Sequence, residues 1–230
     1  MIKNTVLLSL YSILWTFPIP IILALLINQV KWKKFQRVSQ TILYAPHFIS
    51  TMILCGMLRI FLSPYGGLIS TIIQAFGGKA TNLIDSATAF RTIYISSSVW
   101  QDAGWGTIIY IATLSSVDVS LHEAARVDGA TPLQRIFYID IPELVPVIVI
   151  QLIMSFGNLM NVGFEKAYLL QTSLNKATSE IIANYVYEQG LLKAMYSFST
   201  AVGLFNTVVN IVLLVVVNTV CKRLSDVSFI

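Results

Sequence analysis

Charge is what this sequence has least of. Asp, Glu, Lys and Arg together make up 11% of its 230 residues, against about 25% in ordinary soluble domains, while 56% of the chain is hydrophobic. So little charge cannot solvate the outside of a water-soluble domain, and the class that remains is an integral membrane protein. The net charge of +4 is modest. Its basic residues cluster beside the apolar runs rather than along one helical stripe, which argues against nucleic-acid binding and for a sidedness signal. Cysteine is nearly absent: Cys55 and Cys221 stand in separate apolar runs with no C-x-x-C spacing. Neither a disulfide framework nor a metal site is indicated, and both read as small buried hydrophobes. No G-x-x-x-x-G-K-[ST] loop occurs, so the chain cannot cradle ATP by itself. Repeats and low-complexity tracts are missing too, which leaves one domain as the economical reading.

What is present is a series of long apolar runs. From Asn4 to Val30 there is no Asp, Glu, Lys or Arg. At about 20 residues per crossing this is too long for a signal-peptide core and reads as a retained span over residues 5–29. Pro18 and Pro20 each remove a backbone donor, so the helix must kink there, either for packing or as a gating hinge. Lys31, Lys33, Lys34 and Arg37 follow with no acid among them, which puts that loop in the cytoplasm. A second span is expected over residues 41–61, with His47 near its inner start. That histidine either lines a pathway or is satisfied by a carbonyl or water. Beyond it, LISTIIQAF between two glycine pairs is too short to cross and reads as an amphipathic helix on the outer surface.

The third expected span, residues 92–116, carries Trp100-Gln101-Asp102-Ala103-Gly104-Trp105. An acid within a bilayer costs about 2.5 to 3.5 kcal/mol on the insertion scale, so Asp102 must face a partner helix or a wet cavity. Polar groups beside indoles also suit sugars, whose hydroxyls need hydrogen bonds and whose ring faces stack. A fourth span, residues 144–160, ends near Asn158 and Asn161, two amides that either bond across helices or grip a hydroxylated substrate. An outer segment is expected to form one or two short helices offered to a partner, before a fifth span at residues 197–220 closed by Lys222 and Arg223. With these spans, the inner segments hold eight basic residues and the longer outer ones six, a bias of the required sign.

Between the third and fourth spans lies a polar island, SLHEAARVDGATPLQRIFYIDIP, within an inner segment at residues 117–142. Ser120 and Glu123 have the spacing of a capping box. Asp128-Gly129 supplies a left-handed stop, and Thr131-Pro132 reads as a second N-cap with proline at the first helical position. The pattern predicts helix, tight glycine bend, helix.

This stretch resembles the EAA loop of binding-protein-dependent ABC importer permeases. Its three elements read Glu123-Ala124-Ala125, Asp128-Gly129-Ala130 and Ile139-Asp140-Ile141-Pro142, with Ile141 in place of the family's leucine. QTILYAPHFIS at residues 40–50 and GFEKAYLL at residues 163–170 are similar to the oligosaccharide and polysaccharide permeases of the maltose-type group. Together with the five apolar runs, the resemblance implies an all-α integral membrane protein of about five transmembrane helices, with a cytoplasmic helix-turn-helix coupling loop, like a type I ABC importer permease. Members of the group usually carry a further N-terminal span, so five is the count for this sequence alone.

On that resemblance, Glu123, Ala124, Ala125, Asp128, Gly129, Ala130 and Pro142 couple the chain to an ATPase. Implied partners are a second homologous permease, two nucleotide-binding subunits, an extracytoplasmic solute-binding protein and membrane lipid. ATP and Mg²⁺ would sit on the ATPase subunits. The expected cargo is a carbohydrate, with His47, Trp100, Asp102, Trp105, Asn158 and Asn161 as candidates for its path. A non-sugar importer is the alternative. An ion-coupled transporter would need several intramembrane ionisable groups, and Asp102 alone lies well inside a span.

Overall fold

In a computed structural model that describes residues 1–79 and 82–225, the chain is mostly helical, with no strand among those residues. The tail of the last inner segment, residues 226–230, and residues 80–81 of the outer stretch lie outside the described residues. Prolines explain most of the helix boundaries in the first third. Helix α1 (Ile2–Thr16) gives way to α2 (Pro18–Asn28) at Phe17, because Pro18 has no amide for the Leu14 carbonyl and Pro20 none for Thr16. The expected kink is thus a break, although Ile2–Asn28 together remains long and apolar enough to cross.

The second expected span is not one helix. After α3 (Lys33–Tyr44) the chain tightens into a 3₁₀ turn, Ala45–Phe48, and a new helix α4 (Thr51–Phe61) starts behind Ser50, whose hydroxyl accepts from the Ile53 amide at 3.3 Å. Pro46 leaves the Ile42 carbonyl without its α-helical donor, and the Ser50 cap offers a fresh start. Residues 33–37, read as a loop, are the first turn of α3. LISTIIQAF contains the short helix α5 (Leu68–Ala75) as expected.

Helix α6 (Ala87–Ser116) is 30 residues long, ample for a crossing at about 1.5 Å per residue. Its run of serines at 96–98, with Gln101 and Asp102, makes it less apolar than the three candidate spans, Ile2–Asn28, Pro132–Gly157 and Tyr196–Arg223. Among the described residues a fourth candidate exists only if the broken pair α3–α4 counts as one.

After α7 (Val119–Val127) and α8 (Pro132–Arg135), helical chain continues through a π-turn, Ile136–Asp140, into α9 (Ile141–Gly157). Pro142 therefore does not close the polar segment; the helix runs through it. Pro142 cannot donate to Tyr138, and one wide turn absorbs the defect, with the Ile141 amide reaching back five residues to Ile136. The outer segment then folds into α10 (Phe164–Leu170), α11 (Lys176–Ser179), α12 (Ile182–Tyr187) and a second π-turn, Glu188–Leu192, before α13 (Tyr196–Ser225). That is more pieces than the one or two expected.

Two compact units emerge from these elements. One comprises Met1–Ser12, Ile49–Ser98 and Asn158–Ile211, and buried polar groups tie it together. Asn175, fully buried, donates from Nδ2 to the carbonyls of Ile84 (2.9 Å) and Leu170 (3.0 Å) and accepts the Thr172 amide (2.9 Å) and Ser179 hydroxyl (2.7 Å) on Oδ1. Asn4 Nδ2 donates to the carbonyls of Ala177 and Glu180, and Thr5 Oγ1 accepts the Ile182 amide. The start of the chain, where Lys3 is followed by a long run free of charge, is thus a polar anchor for the outer segment through Asn4 and Thr5.

The other unit comprises Ile13–Phe48, Val99–Gly157 and Val212–Ile230. Its core is mostly aliphatic around one aromatic ring: Ala24 and Leu25 of α2, Tyr110 and Leu114 of α6, and Leu144 of α9. Cys55 in the first unit and Cys221 in the second are both buried thiols. On α13, Leu204, Phe205, Ile211, Val212, Val215 and Val216 are all exposed, a surface suited to lipid tails or partner helices rather than water.

Candidate functional site

The polar segment builds its hairpin from three local devices. The N-cap of α7 is Asp118, whose Oδ1 accepts the Ser120 amide at 2.9 Å. The expected cap at Ser120 is two residues late, because an aspartate upstream reaches the same free amides. The hydrogen bonds from Ser120 hold the Asp118 carboxyl below the ordinary carboxylate range. At the other end the Gly129 amide bonds the Arg126 carbonyl (3.1 Å) and the Ala130 amide bonds Ala125 (2.8 Å), with Gly129 at φ +80°. This is the Schellman pairing, and its left-handed residue favours glycine. The reciprocal capping box lies in the second helix: Thr131 Oγ1 accepts the Gln134 amide and Gln134 Oε1 accepts the Thr131 amide at 2.7 Å.

No side chain of α7 is buried. Glu123, Ala124, Asp128 and Gly129 are exposed, while Ala125 and Ala130 are half-buried. Leu121, Val127, Leu133, Phe137 and Tyr138 are also exposed. An apolar, capped, preformed hairpin with Glu123 among its open residues is suited to receiving a partner's surface. Pro142 lies beyond the π-turn and belongs to α9.

A second group forms where α3 approaches α6. A Cβ on Gly104 would collide with the Leu43 backbone, and one on Gly106 would press on the Pro20 ring at 3.0 Å. Two glycines therefore admit α3 and α2 against α6. The close approach sets His47 over α6, with Nδ1 2.9 Å from Asp102 Oδ1. Its imidazole lies flat on the Trp105 indole, centroids 4.4 Å apart at 9°, and Phe48 meets the same indole edge-on at 5.8 Å. The pair remains open, its two side chains 34% and 53% exposed. A carboxylate, an imidazole and an indole on one patch can accept, donate and stack at once.

Trp100 is half-exposed on α6 but sits roughly 200° around the helix from Asp102 at about 100° per residue. Asn158 and Asn161 fall in the turn after α9, in the other compact unit, both exposed and joined by the Asn161 amide donating to the Asn158 carbonyl at 2.9 Å.

That unit also contains a feature the sequence did not reveal. Phe164, Tyr168 and Tyr187 form an aromatic trio with centroids 4.9 to 5.5 Å apart. Beside it, Phe164, Tyr187, Tyr196, Ser199 and Thr200 help to line an open, mostly apolar cavity of about 340 Å³. The aromatic residues at 164, 168 and 187 were visible, but α10 and α12 are too short to announce a shared face.

Comparisons with known proteins follow the same lines. Residues 2–226 match the family model described as binding-protein-dependent transport system inner membrane component. The polygalacturonan/rhamnogalacturonan transport system permease protein YteP of Bacillus subtilis is 39% identical over 98% of this chain and 70% of its own length. Protein LplB of the same organism is 38% identical over 97% of this chain and 70% of its own length. Among solved structures, a chain of a bacterial alginate ABC transporter in complex with alginate pentasaccharide-bound periplasmic protein superposes with a TM-score of 0.95 at 40% identity. The match covers 99% of this chain and 79% of that one. With a family model spanning nearly its whole length, the chain belongs to the inner membrane components of binding-protein-dependent transport systems.

Proposed function

We propose that the chain is the permease subunit of an ATP-driven importer that moves an oligosaccharide, handed over by an extracytoplasmic binding protein, across the cytoplasmic membrane. One observation carries the coupling part: the capped hairpin α7–α8 exposes Glu123, Ala124, Asp128 and Gly129 of the EAA pattern around a glycine-locked bend. The carbohydrate part is supported by the similarity to a polygalacturonan/rhamnogalacturonan transport system permease and to an alginate ABC transporter. A patch able to hydrogen-bond and stack, His47 with Asp102 and Trp105, suits such a cargo. Trp100, Asn158 and Asn161, each exposed, are further candidates for sugar contact.

In this reading five elements cross the bilayer: α1–α2, the broken pair α3–α4, α6, the continuous helix ending in α9, and α13. A second permease completes the pathway. Two ATPase subunits, which carry ATP and Mg²⁺, receive the hairpins of the two permeases in surface grooves. When the ATPases close, Glu123 and its exposed neighbours are carried with them. Gly129 holds the angle between α7 and α8, so the motion reaches the base of α9.

Reconstitution tests this. The chain, coexpressed with its partner permease and ATPases in proteoliposomes, is expected to take up the oligosaccharide bound by the cognate binding protein and to hydrolyse ATP faster in its presence. Uptake driven by an ion gradient without ATP would remove the proposal.

A further inference from the structure

Helix α7 has no buried side chain of its own, so packing does not explain how a force on it reaches the spans. One polar tie does. Asp140, the last residue of the π-turn, is fully buried. Its Oδ2 accepts from Gln29 Nε2 at 3.0 Å, and Gln29 closes the C-terminus of α2. Its Oδ1 has no hydrogen bond but lies 3.3 Å from Nε2 of His122, in the first turn of α7. Arg135 of α8 also lies close enough for its guanidinium to act on Asp140. The end of one span, the base of another and the docking helix thus meet at a single carboxylate.

We propose that Gln29, Asp140 and His122 form a positioning clamp that transmits the movement of α7 to the bases of α2 and α9; this rests on the importer reading above. Three features support it. A buried carboxylate is retained only where partners compensate it. Here Gln29 and His122 come from separate elements rather than from its own helix. The wide turn sits beside Pro142, where an ordinary helix would present a different side chain to α7 and α2. The clamp acts through other groups and touches neither substrate nor nucleotide.

The test uses the assembled importer in proteoliposomes, with its binding protein and oligosaccharide, and reads the substrate imported per ATP hydrolysed. The variants H122A and Q29A each alter one outer partner, and D140N removes the buried charge. Expected is a fall in this ratio of about fivefold or more for H122A, with uptake reduced more than hydrolysis. The double variant H122A/D140N is expected to be no worse than the lower single. If D140N does not insert, H122A and Q29A decide the matter, since both positions are only partly buried. Wild-type ratios in H122A and Q29A, parallel loss of uptake, hydrolysis and membrane level, or single effects that multiply in the double variant would each overturn the clamp. A wild-type complex that shows no coupled hydrolysis would instead overturn the importer reading, and the clamp with it.

Discussion

The imidazole of His47 lies flat on the indole of Trp105, 4.4 Å between centroids, while its Nδ1 meets Asp102 at 2.9 Å. These residues are more than fifty positions apart in sequence, and their meeting depends on the glycine at 104. Because the pair is partly exposed, its coupling energy should be modest, about 0.2 to 1 kcal/mol in a double-mutant cycle. Its effect on transport should be larger than that on stability. Asp102→Asn and His47→Ala are each expected to lower oligosaccharide uptake several-fold with unchanged membrane levels, as measured by initial rates in proteoliposomes.

Gly104 has a different expected phenotype. A side chain there runs into the Leu43 backbone, which cannot move aside cheaply. Gly104→Val is expected to cost about 3 kcal/mol or more. It should lower the midpoint of thermal unfolding in detergent, an outcome that an Asp102 variant should not share.

Gly129 is limited by conformation rather than space. Nothing would lie within 4 Å of an added Cβ, yet φ is +80°. A left-handed residue other than glycine costs about 1 to 2 kcal/mol, least for asparagine and most for β-branched side chains. Uptake should fall in the order Gly, Asn, Ala, Val, with insertion unaffected. An equal response to all three replacements would show that the left-handed backbone is not what limits this position.

The caps of the hairpin can be separated. Thr131→Ala removes the capping box of α8 and is expected to cost about 1 kcal/mol locally. Asp118 adds a pH dependence. Its carboxyl is held below the ordinary range, so the cap is complete above about pH 4 and is lost as pH falls through its lower folded value. Hydrogen exchange at the amides of α7's first turn should quicken in acid, and Asp118→Asn should remove most of that dependence.

Asn175 tests the anchored outer segment. Full burial with four hydrogen bonds predicts that Asn175→Ala destabilises by roughly 2 to 4 kcal/mol, visible as a lower unfolding midpoint and earlier proteolysis of the outer segment.

Local rules carried much of this structure. The glycine stop at 129, the Thr131-Pro132 helix start and the long apolar helix Tyr196–Ser225, which contains the last expected span at residues 197–220, follow from capping chemistry and apolar length. What escaped was set by contacts between distant segments. Asn4 and Thr5 looked like the edge of a plain span, yet they bond residues more than 170 positions away. The break at Pro46 was visible as a proline, but its severity depends on the new cap at Ser50. Asp140 read only as one position of a motif; its burial depends on Gln29 and His122, and no spacing rule links the three.

The most direct measurement is a site-specific crosslink from Ala124→Cys on the exposed face of α7 to the coexpressed ATPase subunit, in a complex hydrolysing ATP under substrate. Both native cysteines are buried, so the new thiol reports cleanly. The account predicts a crosslink to the ATPase that changes in yield between nucleotide-free and ATP-bound states. Labelling of this thiol only from outside the cell, or its failure to reach any ATPase in an actively hydrolysing complex, would contradict it.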